Sequence, residues 1–217
     1  KAEKEKLIKE GKIKRDKNES YIYQGDDKNY YEKIGNNSRR IEVPFESNEN
    51  SIWVRLATIC TKIVDGNHNP PKGELFPTNY LMLSSQNISD DSVVNLNICR
   101  YLTEERFEIE NSRTSISLND ILFTSVGTLG RTCVYVGPLN ICFQRSVTVI
   151  STLINPRYLK MFLDTPMFQF KVYKEATGTA QKGFYLNQLA SSFVLIYPSD
   201  YQNRVVAKTD DLFKIIQ

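Results

Sequence analysis

A single histidine, His68, and four scattered cysteines leave little room for metal or redox chemistry in this 217-residue sequence. Cys60, Cys99, Cys133 and Cys142 contain no Cys-x-x-Cys pair, so neither a zinc ribbon nor a thioredoxin-type motif is present, and they read as separate buried thiols. Long apolar runs are also missing. None approaches the roughly 18 residues of a membrane span, and the charged opening has no hydrophobic signal core. These absences predict no membrane partner and a reducing, cytoplasmic localisation.

Strong charge is lacking too. From Lys1 to Lys17 eight Lys or Arg face four Asp or Glu, so with a net charge of +3 the rest of the chain sums to about −1. A protein that held nucleic acid by bulk charge alone would be far more basic, because non-specific affinity comes from phosphate neutralisation. Any DNA binding must rest on local placement or on a partner.

What is present suits one domain with appendages, since 41% apolar content at this length can fill one core. Residues 1–17 alternate charges, break at Gly11 and read as the end of a preceding spacer helix. Residues 18–51 are polar and aperiodic, which predicts a connector, and a compact body follows over 52–198. Short β-branched and aromatic runs at Ile52–Leu56, Tyr80–Leu83, Ile121–Val126, Thr132–Val136, Cys142–Ile150 and Phe193–Tyr197 predict strands. Asn155-Pro156 and Thr165-Pro166 are helix starts, for helices through Leu163 and about Glu175. The expected class is α+β: a curved, largely antiparallel sheet with flanking helices, bordered by N- and C-terminal spacer-helix fragments. In the last stretch, 199–217, Val205, Thr209, Leu212 and Ile216 have the spacing of a coiled-coil seam; the same pattern suits an amphipathic helix lying on its own domain.

Three polar segments could carry chemistry. In LNDILFTSVGTLGRTCVYV, Gly127 and Gly130 permit a tight turn that would present Ser125, Thr128 and Arg131. The turn lacks the ending of a phosphate-binding P-loop and precedes a strand, which argues against nucleotide binding; phosphate contact and a bare structural turn both remain open. In ATGTAQKGFYLNQL, Thr179, Gln181 and Lys182 lie in a flexible loop able to approach a polyanion, and Gln can pair with an adenine edge. In IVDGNHNPPKGELFP, Asn67, His68 and Lys72 lie near Asp65; acid–base chemistry or a metal would need a partner that one exposed histidine lacks. Phe123, Phe143 and Tyr135 alternate with apolar neighbours and read as core.

Taken in order, these segments resemble the target recognition domains of the DNA specificity subunits of type I restriction–modification systems. The matching residues are WVRLATI at Trp53–Ile59, DGNHNPP at Asp65–Pro71, SSQNI at Ser84–Ile88, NDILFTSVGTLGR at Asn119–Arg131, Gln144 with Ser146, the Tyr158–Leu163 helix, TGTAQKGFYLNQL at Thr177–Leu189, and Gln202, Arg204, Val205 and Val206 entering a helix. The resemblance implies a non-catalytic component that reads one half of a bipartite site in double-stranded DNA. It implies adenine methyltransferase and restriction subunits as partners, with S-adenosylmethionine and ATP held by those partners and no cofactor here. Paired long helices separate two such domains in a complete subunit, so a single domain is either one half of a subunit or a half-subunit that pairs with itself. The methyltransferase motif Asn-Pro-Pro-Tyr/Phe is not matched, because Asn69-Pro70-Pro71 is followed by Lys72.

On this reading the DNA-contacting candidates are Asn67, His68 and Lys72, then Thr128 and Arg131, then Thr179, Gln181 and Lys182. Arg100, Arg106 and Arg113 join them as forked donors suited to guanine in the less patterned stretch from Ser89 to Thr114. The competing classes are a small-ligand enzyme using the glycine turns with His68, and a protein-interaction domain docking through its terminal helices.

Overall fold

The computed structural model describes residues 2–11, 19–137, 139–178 and 181–216. Helix α1 (Ala2–Lys9) stops before Gly11, as the sequence predicts.

The stretch expected to be a connector is folded instead. Strands β1 (Ser20–Gln24), β2 (Tyr30–Ile34) and β3 (Asn37–Ile41) form an antiparallel meander in which Ile22, Glu32 and Arg39 share one face and Tyr23, Tyr31 and Arg40 the other. The inner face packs Tyr30, Ile22 and Ile41 against Trp53 and Leu195, so packed structure extends ahead of Ile52. Polar composition hides this because one core-facing residue is charged. Glu32 is 2% exposed. Its carboxylate accepts hydrogen bonds from Arg55 Nε and Nη2 at 2.9 and 2.8 Å and from Arg39 Nη2 at 2.7 Å. The Arg55 guanidinium, helped by Arg39, holds that carboxyl down at about 2 against the cost of burial.

Beyond the meander come β4 (Ile52–Arg55), β5 (Cys60–Asp65), β6 (Tyr80–Leu83), β7 (Arg100–Leu102), α2 (Glu104–Thr114), β8 (Ile121–Thr124), β9 (Thr132–Val134), β10 (Asn140–Phe143) and β11 (Val147–Thr152). Helices α3 (Pro156–Leu163), α4 (Pro166–Glu175) and α5 (Leu186–Ala190), strand β12 (Phe193–Ile196) and helix α6 (Ser199–Ile216) complete the chain. The class is α+β, and antiparallel pairing dominates, but the single expected sheet is divided. Strands β5, β11, β8 and β9 form one antiparallel sheet, β10, β6 and β7 a second, and β12 with β4 a third beside the meander. Only β10 and β6 run parallel among the described strands. The division has a local cause. The run expected as one strand, Cys142–Ile150, turns at Gln144–Ser146, where Val147 N donates to Gln144 O at 3.1 Å, and its two halves enter different sheets.

Strand β8 is buried on both faces, which explains its unbroken apolar sequence. Ile121 and Phe123 face a core with Leu159, Leu163, Phe168, Phe184 and Leu189, while Leu122 faces Leu83, Ile141, Phe143 and Val149. Phe123, Phe143 and Tyr135 are core residues, as expected. Cys60, Cys133 and Cys142 are buried thiols that burial pushes up to about 12, and Cys99 is half-buried.

The helix starts read from sequence are observed. Asn155 Oδ1 accepts from Arg157 N and Tyr158 N at 3.0 and 3.2 Å, and Thr165 Oγ1 accepts from Phe168 N at 3.3 Å. Over its first half, helix α6 follows the second reading weighed for it, an amphipathic helix lying on its own domain. Its first half lies on the body through buried Val206 and through Gln202, whose Oε1 accepts from Asn155 N at 3.1 Å. Farther along, Leu212, Phe213 and Ile215 are exposed. No helix among the described residues is long and apolar enough to cross a membrane.

Candidate nucleic-acid interface

The parallel pairing of β6 and β10 brings their C-terminal ends together, and the polar segments gather at that end. Their meeting point is the turn Gln144–Arg145–Ser146. Gln144 N donates to Leu83 O at 2.9 Å, Arg145 N to Asn67 O at 2.9 Å, and Ser146 O accepts from Ser125 N at 2.9 Å. Ser146 Oγ accepts from Ser85 N at 3.0 Å, and Ser125 Oγ donates to Arg145 O at 3.3 Å. Main-chain groups of one turn, with the Ser146 hydroxyl, thus tie down three separate stretches: 66–73, 83–87 and 125–131.

The first of these is held from both sides. Gly66 lies so close to β10 that a Cβ there would overlap the carbonyl oxygens of Phe143 and Gln144, which is why glycine starts this loop. Asn67 N donates to Phe143 O at 2.7 Å. The Asn67 side chain donates to the buried Glu110 carboxylate and accepts from Asn69 N at 2.8 Å. Arg106 pairs with the same carboxylate, Nη2 to Oε1 at 2.5 Å. Arg113 Nε donates to Asp65 O and Gly66 O at 2.9 and 3.0 Å, and its Nη2 to Asp65 Oδ1 at 2.6 Å. Arg100 Nη1 donates to Pro70 O at 3.1 Å and also to Pro71 O. The other Asp65 oxygen meets His68 Nε2 at 2.6 Å. Burial pushes the Asp65 carboxyl up, but hydrogen bonds from Arg113 and His68 outweigh it and leave its pKa below the ordinary value.

Loop 125–131 turns at Gly127, whose φ of +87° is left-handed, and a Cβ there would stand 2.9 Å from Ser85 Oγ. Thr128 Oγ1 donates to Ser85 O at 3.1 Å. Against this loop lies the segment around Gly183: Phe184 N donates to Ser125 O at 2.8 Å, and Val126 bridges to Gly183.

The sequence candidates therefore divide. His68, Lys72, Thr128, Arg131, Gln181 and Lys182 are exposed. No partner is found for the Lys72 or Lys182 ammonium among the described residues. Asn67 and Arg100 are half-buried, and Arg106 and Arg113, though exposed, are engaged in pairs within the protein; these contacts brace loop 66–73. Ser125, expected at the loop tip, is buried. Thr179 lies outside the described residues. Sequence reasoning passed over Arg145, which is exposed at the centre of the cluster. Its signal was a polar triplet, Gln-Arg-Ser, interrupting the apolar runs ICF and VTVI.

Among the described residues no group of His, Cys, Asp or Glu side chains could hold a metal ion. A large open cleft, about 1420 Å³, adjoins this cluster through loop 125–131, whose Thr128 and Arg131 line it together with α3 and α6. Its charged walls are largely paired, Lys160 with Asp164 at 2.6 Å and Arg157 with Asp210 at 2.5 Å, and His68 does not line it.

No family model matches the chain. The chain is 29% identical over 127 residues to the type I restriction enzyme EcoBI specificity subunit of Escherichia coli, a match covering 57% of this chain and 27% of that one. Its fold matches the HsdS subunit from Thermoanaerobacter tengcongensis with a TM-score of 0.59 at 18% identity, over 81% of this chain and 40% of that one. A chain from a structural study of complex assembly and conformational transition of the type I restriction–modification system matches equally, with a TM-score of 0.59 at 17% identity over 80% and 40%. The resemblance to specificity subunits read from the sequence is thus borne out in both sequence and fold, while the chain spans about a quarter of the length of the curated relative and two-fifths of the solved chains.

Proposed function

We propose that this chain reads a short sequence in double-stranded DNA and so directs a type I restriction–modification complex to one half of a bipartite site. The observation that carries the reading is the convergence of the polar loops on one rigid turn. Three exposed cations without intramolecular partners among the described residues, Lys72, Arg145 and Lys182, belong to these same loops. The tips enter the major groove, where base edges are distinguishable, and the lysines meet phosphates and fix register. A net charge of only +3 then suffices, because the cations are placed rather than numerous.

On this reading the chain performs no turnover. Methyl transfer, S-adenosylmethionine and ATP belong to the methyltransferase and restriction subunits. The exposed end of α6, with Leu212, Phe213 and Ile215, supports a second role as a helical spacer that docks on a partner subunit or on a second copy.

The test is a selection from randomised duplexes by the protein carrying this chain, assembled with its adenine methyltransferase. Recovery of a defined half-site that changes when loops 66–73, 125–131 and 177–183 are exchanged for a relative's is the expected result. Selection of no preferred sequence, or of the same sequence after the exchange, overturns the proposal.

A further inference from the structure

We infer that Arg145 is the guanine-reading side chain of this module, an inference that rests on the DNA-recognition reading above. Arginine suits this task because its planar fork can donate two parallel hydrogen bonds to O6 and N7 of guanine in the major groove. The fork must be free, aimed and held by a stiff support. Three other arginines of the region fail the first condition: Arg100 is bonded to the Pro70 and Pro71 carbonyls, Arg106 to Glu110, and Arg113 to Asp65 and Gly66. Arg131 reaches Ile88 O, at 3.4 Å. The Arg145 guanidinium is exposed and has no partner among the described residues.

Its support is rigid because both of its main-chain polar groups are engaged. Arg145 N donates to Asn67 O at 2.9 Å, and Arg145 O accepts from Ser125 Oγ at 3.3 Å. Gln144 and Ser146 on either side are bonded to Leu83, Ser85 and Ser125. Backbone motion that would misdirect the side chain is thereby suppressed, and the Arg145 position is fixed relative to loops 66–73 and 125–131 at once.

The experiment compares the unsubstituted protein with Arg145→Ala and Arg145→Lys, each assembled with the methyltransferase and presented with randomised duplexes. The expected result is a guanine at one half-site position, whose preference falls about tenfold in Arg145→Ala while the other positions keep theirs. Arg145→Lys leaves that preference impaired, because a point charge cannot make the paired bonds. A uniform loss of affinity over all sequences with a shallower salt dependence would make Arg145 a phosphate contact and overturn the inference, as would an unchanged selection. Those two outcomes leave the recognition reading standing. Selection of no sequence by the unsubstituted assembly overturns both.

Discussion

Arg113 reaches across 48 residues of chain to Asp65, Nη2 to Oδ1 at 2.6 Å, and so fixes the root of the loop that carries His68. The same guanidinium holds Asp65 O and Gly66 O, so one side chain sets both the backbone path and the carboxylate that orients the histidine. Arg113→Ala is expected to speed hydrogen exchange of the Asn67 and Asn69 amides while costing only about 1 kcal/mol of global stability, because the pair is partly exposed and screened. Exchange measured by mass spectrometry checks this; unchanged protection of the loop would refute the clamp.

Glu32 gives a pH-dependent prediction. Its folded pKa is depressed from 4.5 to about 2, so its contribution is complete above about 4.5 and is lost as the pH falls through about 2. The difference corresponds to roughly 3 kcal/mol. Glu32→Gln should lose stability of that order at neutral pH, and the loss should shrink on acidification between those values. Urea unfolding of both proteins across that range is the measurement.

Gly66→Ala should destabilise the protein by about 1–3 kcal/mol, since the added methyl can be relieved only by moving the Phe143–Gln144 backbone. The same shift displaces the turn at Arg145, so loss of site selection should accompany it. A variant of unchanged melting temperature and selection would show that the contact between loop and turn is not tight.

Lys72→Ala and Lys182→Ala should each weaken binding to all duplexes alike and lower the salt slope by about one. Titrations at several salt concentrations separate this from base reading, which would alter preference at one position and leave the slope intact.

Thiol labelling should distinguish the four cysteines. Cys99 is the half-buried one and should react first, whereas Cys60, Cys133 and Cys142, pushed up to about 12 by burial, should label only on unfolding. Rapid native labelling of any of these three would contradict their placement in the core.

The sequence was most legible where the signal is local. Asn155-Pro156 and Thr165-Pro166 announce helices because the capping residue and the fixed proline angle act within one turn. The apolar runs of β6, β8 and β12 were equally plain. Strand β5 was not, since CTKIVD mixes Lys62 and Asp65 with apolar residues and gains its identity from β11 alongside. The meander of 20–41 was hidden because its inner face contains Glu32, whose burial depends on Arg55 in β4, 23 residues further along, and on Arg39 across the strand pair. Composition cannot reveal such a pairing.

The candidate site was legible in its loops and misread in its arginines. Residue type picked out Arg100, Arg106 and Arg113 as donors, but a donor's availability depends on which carbonyls and carboxylates stand near it in the fold. Arg145 was overlooked for the converse reason: the polar triplet Gln-Arg-Ser interrupts the run Cys142–Ile150, but residue type alone does not say that one strand leaves a sheet there and the next begins in another.

The turn at Gln144–Ser146 grips its neighbours mainly through peptide groups, which every amino acid other than proline can supply in full. Side chains that project from the surrounding tips can therefore be replaced one at a time with little disturbance to the body beneath them. Such an arrangement favours rapid diversification: new preferences can be acquired by point substitution at the rim while the folding of the whole stays the same.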